Sequence, residues 1–199
     1  MKKTLFIDIG GVVLTNGWDR VARAEACHTF GLDQKELDNR HALMFDTYEL
    51  GRISLLEYLK QVVFYTPRDF SEEQFIQFMY DQSKPYQETI DMLIEMKKAH
   101  GLKMIALSNE GRELTEYRIE TFDLDRIFDF YVSSCFVGLK KPDKAIYRVA
   151  LDLAQARPQD AIYIEDRALF CDIGRSLGLN TIQHRDAKST QEQLLQFFS

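Results

Sequence analysis

The sequence predicts an α/β fold: a doubly wound parallel sheet core carrying a small helical cap insert. Short, unbroken apolar runs recur along the chain and are separated by stretches of helical periodicity. That is the pattern of parallel strands covered by helices on both faces. One long stretch departs from it, since from Trp18 to about Gln82 there is helical pattern and no convincing strand.

The first strand is Thr4-Leu5-Phe6-Ile7, an apolar run that ends at Asp8 and is broken by Gly10-Gly11. Asn16-Gly17 then marks the way into the helical stretch. Within it, Ser54-Leu55-Leu56-Glu57 and Ser71-Glu72-Glu73-Gln74 have capping-box spacing, so each starts a helix, and Pro67 separates the two. Ser83-Lys84-Pro85 marks the way out. The expected division is therefore 1–15 and 85–199 for the core and 16–84 for the cap. Beyond it, a helix over Gln87–His100 carries Ile90, Leu93, Ile94 and Met96 at helical spacing, and Gly101 stops it. Further strands are expected at 103–107, 130–132 and 161–164, with a weaker one at 181–183. No internal repeat or low-complexity segment is present.

Composition narrows the function. Acidic residues outnumber basic ones by 31 to 25, so no broad positive field is available to hold nucleic acid. An anionic substrate must be held by a local site. No apolar run approaches the roughly 18–20 residues of a membrane span. Met1-Lys2-Lys3 is charged, but the following apolar run is cut by Asp8 and has no small-residue cleavage site, so a cytoplasmic location is expected. Cys27, Cys135 and Cys171 are odd in number and form no C-x-x-C, which suits free thiols. His28, His41, His100 and His184 are scattered and give a zinc site little support. Nothing in the sequence speaks to oligomeric state.

In open parallel sheets the site lies at the carboxyl ends of the strands, near the point where strand order reverses. The polar residues expected there are Asp8, Ser108-Asn109 and Glu165-Asp166. Lys141 joins them from the loop Gly138-Leu139-Lys140-Lys141-Pro142, ahead of a helix that begins near Asp143. Singly, each has an ordinary explanation. Asp8 suits a turn, Ser108-Asn109 and Glu165-Asp166 suit helix caps, and Lys141 suits a solvated loop. Together, in one chain order and all at loop positions, they point to a site.

This order resembles the haloacid dehalogenase superfamily of Asp-nucleophile hydrolases, from Leu5 to about Ile182. Its four motifs read Phe6-Ile7-Asp8-Ile9-Gly10-Gly11-Val12-Val13, Leu107-Ser108-Asn109, Lys140-Lys141-Pro142 and Tyr163-Ile164-Glu165-Asp166. The resemblance implies a Rossmann-like core, a C1-type cap and hydrolysis of a small phosphorylated metabolite. The segment Tyr48-Glu49-Leu50-Gly51-Arg52-Ile53-Ser54 is similar to a branch that contains small sugar-phosphate phosphatases and the N-terminal domains of mammalian epoxide hydrolases. The roles implied are Asp8 as a nucleophile forming an aspartyl-phosphate, and Mg2+ held by the Asp8 carboxylate, the Gly10 carbonyl and the Asp166 carboxylate. Glu165 would support a metal-bound water, Lys141 would neutralise charge, and Ser108 with the backbone near Asn109 would bind a phosphoryl oxygen. Such chemistry suits these residues, because a carboxylate attacking a phosphoryl group needs positive charge between two anions.

One position departs from the pattern. Most phosphatases of the superfamily carry a second Asp two residues after the nucleophile, as proton donor, and here that position is Gly10. General acid–base catalysis contributes about 10²- to 10⁴-fold. Either another group supplies the proton, with Glu110, Asp46, His41 and Glu49 as candidates, or the substrate has a good leaving group, or the chain binds phospholigands without turning them over. With the acid missing, rates with aryl phosphates are expected to depend steeply on leaving-group pKa; a flat dependence indicates a substitute donor. A metal-independent dehalogenase is the rival within the same fold. The adjacent acids Glu165 and Asp166 argue against it, because three carboxylates repel one another unless a cation lies between them. At the pocket mouth the candidates are Asn16, Trp18, Phe45, Tyr48 and Arg52, although most aromatics of this chain are expected to build its cores.

Overall fold

The structure is a computed structural model that describes residues 3–198; Met1, Lys2 and Ser199 lie outside the described residues. Five parallel strands form one sheet in the order β3-β2-β1-β4-β5. They are β1 (Thr4–Ile7), β2 (Lys103–Ser108), β3 (Phe130–Ser133), β4 (Ala161–Glu165) and β5 (Asn180–Gln183). The central β1 is apolar and buried at all four residues, as a strand covered on both faces must be. Its side chains alternate between two cores. Leu5 and Ile7 pack with Met104, Ala106, Ile162 and Ile164 under α5 (Gln87–His100) and α10 (Ala187–Leu195). Phe6 packs with Ile105, Leu107 and Tyr163 on the other face, under α8 (Lys144–Ala154).

Register decides where the site lies. Ile7 is level with Ala106 on one side and with Ile164 on the other. The residues just beyond therefore share one rim of the sheet. The chain steps outward from β1 to β2 and β3, then crosses to β4 and β5, so strand order reverses between β1 and β4. The strands run slightly longer than their apolar runs, because Ser108, Ser133 and Glu165 still pair with Ser133, Ser108 and Gln183. A polar residue can keep its place in a backbone ladder, and hydrophobic pattern does not register it. Two short 3-10 turns and the one-turn helix α7 (Ser134–Val137) also lacked a periodic signal.

Between β1 and α5 lie four helices: α1 (Arg20–Phe30), α2 (Gln34–Glu49), α3 (Leu55–Val62) and α4 (Glu72–Asp81). Asp19 and Asp33 cap the first two, and reciprocal capping boxes close Ser54 with Glu57 and Ser71 with Gln74. They share a core rich in aromatics, in which Phe30, Phe70, Phe75 and Phe78 meet with centroids 4.5 to 6.3 Å apart. Trp18 and Tyr48, candidates for a pocket mouth, belong to this core, as expected of most aromatics in the chain. Trp18 donates its indole N–H to Tyr58 Oη at 2.9 Å, and Tyr48 is fully buried and stacks on Tyr58. Phe45 packs against His41 and Tyr58.

The segment Tyr48 to Ser54 docks this block on the sheet. Ser134 donates its hydroxyl to the Glu49 carbonyl at 2.7 Å, and the Leu55 N–H donates to Glu113 at 2.8 Å. Gly51 has φ +69°, and a Cβ there would lie 2.3 Å from the Cys135 carbonyl oxygen. The two connections to the block are zipped together: Thr15 N–H donates to the Lys84 carbonyl at 2.9 Å, and its hydroxyl to the Gln82 carbonyl at 2.7 Å. No helix among the described residues is long and apolar enough to cross a membrane.

Gly51 and Gly31 make a matched pair for a test, since Gly31 also has positive φ (+63°) but no atom within 4 Å of its would-be Cβ. Gly31→Ala should cost only the conformational term, about 1 kcal/mol, while Gly51→Ala should cost about 3 kcal/mol or more because backbone must move. Urea denaturation of the two variants checks this; equal losses would contradict the docking role given to Gly51.

Candidate active site

Asp8 directly follows β1, and its carboxylate Oδ1 accepts the Ile9 N–H at 2.8 Å. Lys141 reaches it from the loop before α8, with Nζ 3.0 Å from Asp8 Oδ2 and 2.8 Å from Glu165 Oε2. Lys141 is 2% exposed, so it is not a solvated loop lysine. Its backbone is clamped by Asn109, whose amide donates to the Lys141 carbonyl and accepts the Lys141 N–H, both at 2.8 Å. Asn109 therefore caps no helix; the helix that follows, α6 (Arg112–Thr121), starts after Gly111 without a side-chain cap. Glu165, fully buried at the end of β4, also accepts from the Tyr163 hydroxyl and from the Arg167 N–H.

Asp8, Glu165 and Asp166 bring carboxylate oxygens within 4.8 Å of one another. Against three acids there is one buried ammonium. Burial raises Glu165, but the Lys141 charge and the hydrogen bonds from Asp166, Lys141 and Tyr163 outweigh it and hold its carboxyl below the ordinary range. Asp8 is pushed up by burial and by the Glu165 charge, more than Lys141 can offset. Asp166 is driven up to about 7, by burial first and then by its contacts with Glu165. Its Oδ1 is buried without a hydrogen-bond partner. An unpaired buried oxygen beside two further carboxylates is a costly arrangement for protein alone and suits a small hard cation with oxygen ligands, such as Mg2+. Gly11 makes room for it: with φ +78°, a Cβ there would lie 2.3 Å from Asp166 Oδ2.

Beside this cluster is a cavity of about 70 Å³. Asp8, Gly10, Ser108, Asn109 and Lys141 line it, together with Asn16, Gly17, Glu49, Glu110, Arg118, Arg167 and Phe170. Of the pocket-mouth candidates only Asn16 reaches it; Arg52 lines a separate groove with Glu57 and Arg112. Arg118 had no local signal, because its partners come from afar. Only 2% exposed, it donates to Ser83 Oγ at 2.9 Å and to the Thr15 carbonyl at 3.1 Å, and pairs with Glu110 at 3.1 Å. A larger cavity of about 550 Å³ lies at the opposite rim, against Lys3, Gln155 and Arg157, and holds no comparable cluster.

A profile of the haloacid dehalogenase-like hydrolases matches residues 2–169. The chain belongs to this family. Within the family, it is 37% identical over 67 residues to bifunctional epoxide hydrolase 2 of Sus scrofa, a match covering 34% of this chain and 12% of that protein. It is 28% identical over 99 residues to phosphoglycolate phosphatase of Aquifex aeolicus, covering 50% of this chain and 46% of the relative. The chain thus spans less than half the length of these curated relatives. In fold it is similar to a HAD family enzyme of Bacteroides thetaiotaomicron, solved in complex with magnesium and inorganic phosphate. That match has a TM-score of 0.76 at 19% identity, over 93% of this chain and 95% of that one. An L-2-haloacid dehalogenase also matches, with a TM-score of 0.67 at 16% identity, over 98% of this chain and 100% of that one.

The central lysine generates a stability test in this hydrolase. Lys141→Met removes the buried ammonium that pairs with both Asp8 and Glu165 and should cost about 3–5 kcal/mol at pH 7 in chelator. Because Glu165 is held low in the folded state, the stability it gains from Lys141 is present above the ordinary carboxylate pKa and is lost as pH falls below it. The deficit of the variant should therefore shrink at acid pH, as read from denaturant midpoints. An equal deficit at pH 7 and in acid would contradict the assignment.

Proposed function

We propose that this family member is a Mg2+-dependent phosphatase of small phosphorylated metabolites, sugar phosphates among them, acting in the cytoplasm with Asp8 as nucleophile. The observation that carries the reading is the cluster of Asp8, Glu165 and Asp166 around one lysine, with Asp166 Oδ1 left unpaired. A hydrolase that used no cation would gain nothing from a third acid against the other two. The Aquifex aeolicus phosphatase and the magnesium and phosphate of the Bacteroides thetaiotaomicron enzyme support the same choice over dehalogenation.

In this reading the Asp8 and Asp166 carboxylates and the Gly10 carbonyl hold the ion. Bound there, it supplies positive charge that lets an anionic nucleophile approach an anionic substrate. Asp8 attacks the phosphoryl group and water later releases it. Lys141, fixed by Asn109 at its backbone and by Glu165 at its ammonium, faces the charge that develops on the phosphoryl oxygens. Ser108 donates its hydroxyl to one of them. The helical block over 16–84 acts as a cap. A cavity of about 70 Å³ is far below the roughly 300 Å³ or more of a ligand pocket, so the cap must open to admit a metabolite.

A phospholigand-binding module is the second reading, favoured by one observation. An ideal Cβ at Gly10 would lie 2.9 Å from Asn16 Oδ1, so an amide occupies the place from which the usual acid would project. Phosphate release from a broad phosphometabolite panel separates the readings. At least one compound should be hydrolysed with Mg2+, chelator should abolish the activity, and Asp8→Asn should lower it by about 10⁴-fold. Activity that persists in Asp8→Asn would sink the nucleophile; no phosphate from any compound would leave the binding module; chloride released from a 2-haloacid without metal would favour the dehalogenase.

A further inference from the structure

Four groups compete to replace the acid missing at Gly10, and their surroundings separate them. His41 lies in the helical block, its Nδ1 hydrogen-bonded to Tyr58 Oη at 2.8 Å and its ring held neutral by burial. Asp46 keeps 69% of its side chain in solvent and pairs with Lys140. Glu49 lines the cavity from the helical block, with its Oε2 on Lys140 at 2.9 Å. Glu110 lines the same cavity as Asp8 and is 8% exposed.

Glu110 is also the one of the four on the loop that carries Ser108. It follows Ser108-Asn109 directly, and its own N–H donates to Ser134 Oγ at 3.0 Å. Oε1 accepts the Gly111 N–H at 3.1 Å, and Oε2 faces Arg118 at 3.1 Å. Arg118 is in turn tied to Thr15 and Ser83, the two connections to the helical block. The carboxyl is thus held against the cavity from its own loop and from the hinge. Resting on the phosphatase reading above, we propose that Glu110 is the proton-transfer residue of this site.

The step balances without any further reagent. As Asp8 attacks phosphorus, the bond from phosphorus to the leaving oxygen breaks, and the Glu110 carboxyl gives that oxygen its proton. The alcohol departs and Glu110 is left as a carboxylate. It then takes a proton from the water that attacks the aspartyl-phosphate. The bond between phosphorus and Asp8 breaks, orthophosphate leaves, and both side chains return to their starting states. Arg118 on α6, Glu49 on α2 and Asp8 after β1 set the proton affinity, while Tyr48 on α2 and Cys135 on α7 face the carboxyl as neutral groups whose own ionisation it opposes. Burial outweighs Arg118, Glu49 and Asp8 add their charges, and the carboxyl stands at about 7, where it can serve as acid and then as base near neutrality.

The test compares aryl and alkyl phosphates of graded leaving-group pKa in the wild type, Glu110→Gln and Glu110→Asp, with Mg2+ present. Rates within one preparation are compared as ratios, so a reduced folded fraction cancels. The wild type should show a shallow dependence on leaving-group pKa. Glu110→Gln should lose about 10²-fold or more on alkyl phosphates and less than about threefold on dinitrophenyl phosphate. Glu110→Asp should recover part of that loss, and the pH limb near neutrality should disappear in Glu110→Gln. A uniform loss across all leaving groups, or none, would overturn the proposal and leave Glu110 as an anchor for Arg118. Beryllium fluoride loading of Asp8 separates the two failures. A wild type that neither loads nor hydrolyses any ester overturns the phosphatase reading and this proposal with it; loading without a selective Glu110→Gln effect overturns the proposal alone.

Discussion

Three clustered carboxylates, two of them buried and the third half-buried, face one buried ammonium, and the site is arranged around that imbalance. Lys141 settles two of the acids through contacts of 3.0 and 2.8 Å, which leaves Asp166 with an oxygen that has no partner. Burying charge in this way is expensive unless something pays for it elsewhere. Here the rigid sheet does so, because the close approach of Asp8 to Glu165 follows from the pairing of β1 with β4. Function and stability pull against each other at this rim. Neutralising any of the three acids would relax the repulsion, and would also remove the negative charge that attracts a cation.

The same rim connects the chemistry to the helical block. Arg118 bonds the incoming connection at Thr15, the outgoing one at Ser83 and the cavity-lining Glu110. A single buried guanidinium therefore ties both connections of the helical block to an acid that lines the cavity. Gly17 leaves the space it needs, since a Cβ there would lie 2.2 Å from an Arg118 nitrogen. On the other flank, Lys140 bridges Asp46 and Glu49 while its neighbour Lys141 faces Asp8. Two consecutive lysines thus divide the labour, one across the cap boundary and one in the interior.

Much of this was legible in the sequence because it rests on local signals. A switch from apolar to polar residues marks each strand end, and so it picks out Asp8, Ser108 and Glu165-Asp166. Capping spacing found α3 and α4. What could not be read depends on contacts between distant residues. Arg118 and Thr15 are 103 positions apart, and nothing near either forecasts their bond. The displacement at Gly10 is of the same kind: the sequence shows the acid missing, while only the fold shows Asn16 filling its space. Trp18 and Tyr48 neighbour the motifs in sequence and so were pocket-mouth candidates, but they build the aromatic core, as most aromatics of the chain were expected to do. The Asn109 side chain, for which a helix cap was the ordinary explanation, spends both ends on the Lys141 backbone instead.

The central claim is that Asp8 carries the phosphoryl group during turnover. Its most direct test is to quench the protein in acid during hydrolysis of an aryl phosphate with Mg2+, reduce with borohydride, and map the peptides. An aspartyl-phosphate is reduced to homoserine, so the conversion should appear at position 8, and only when Mg2+ and substrate are both present. Hydrolysis with no conversion at position 8, or conversion at another acid, would contradict the account.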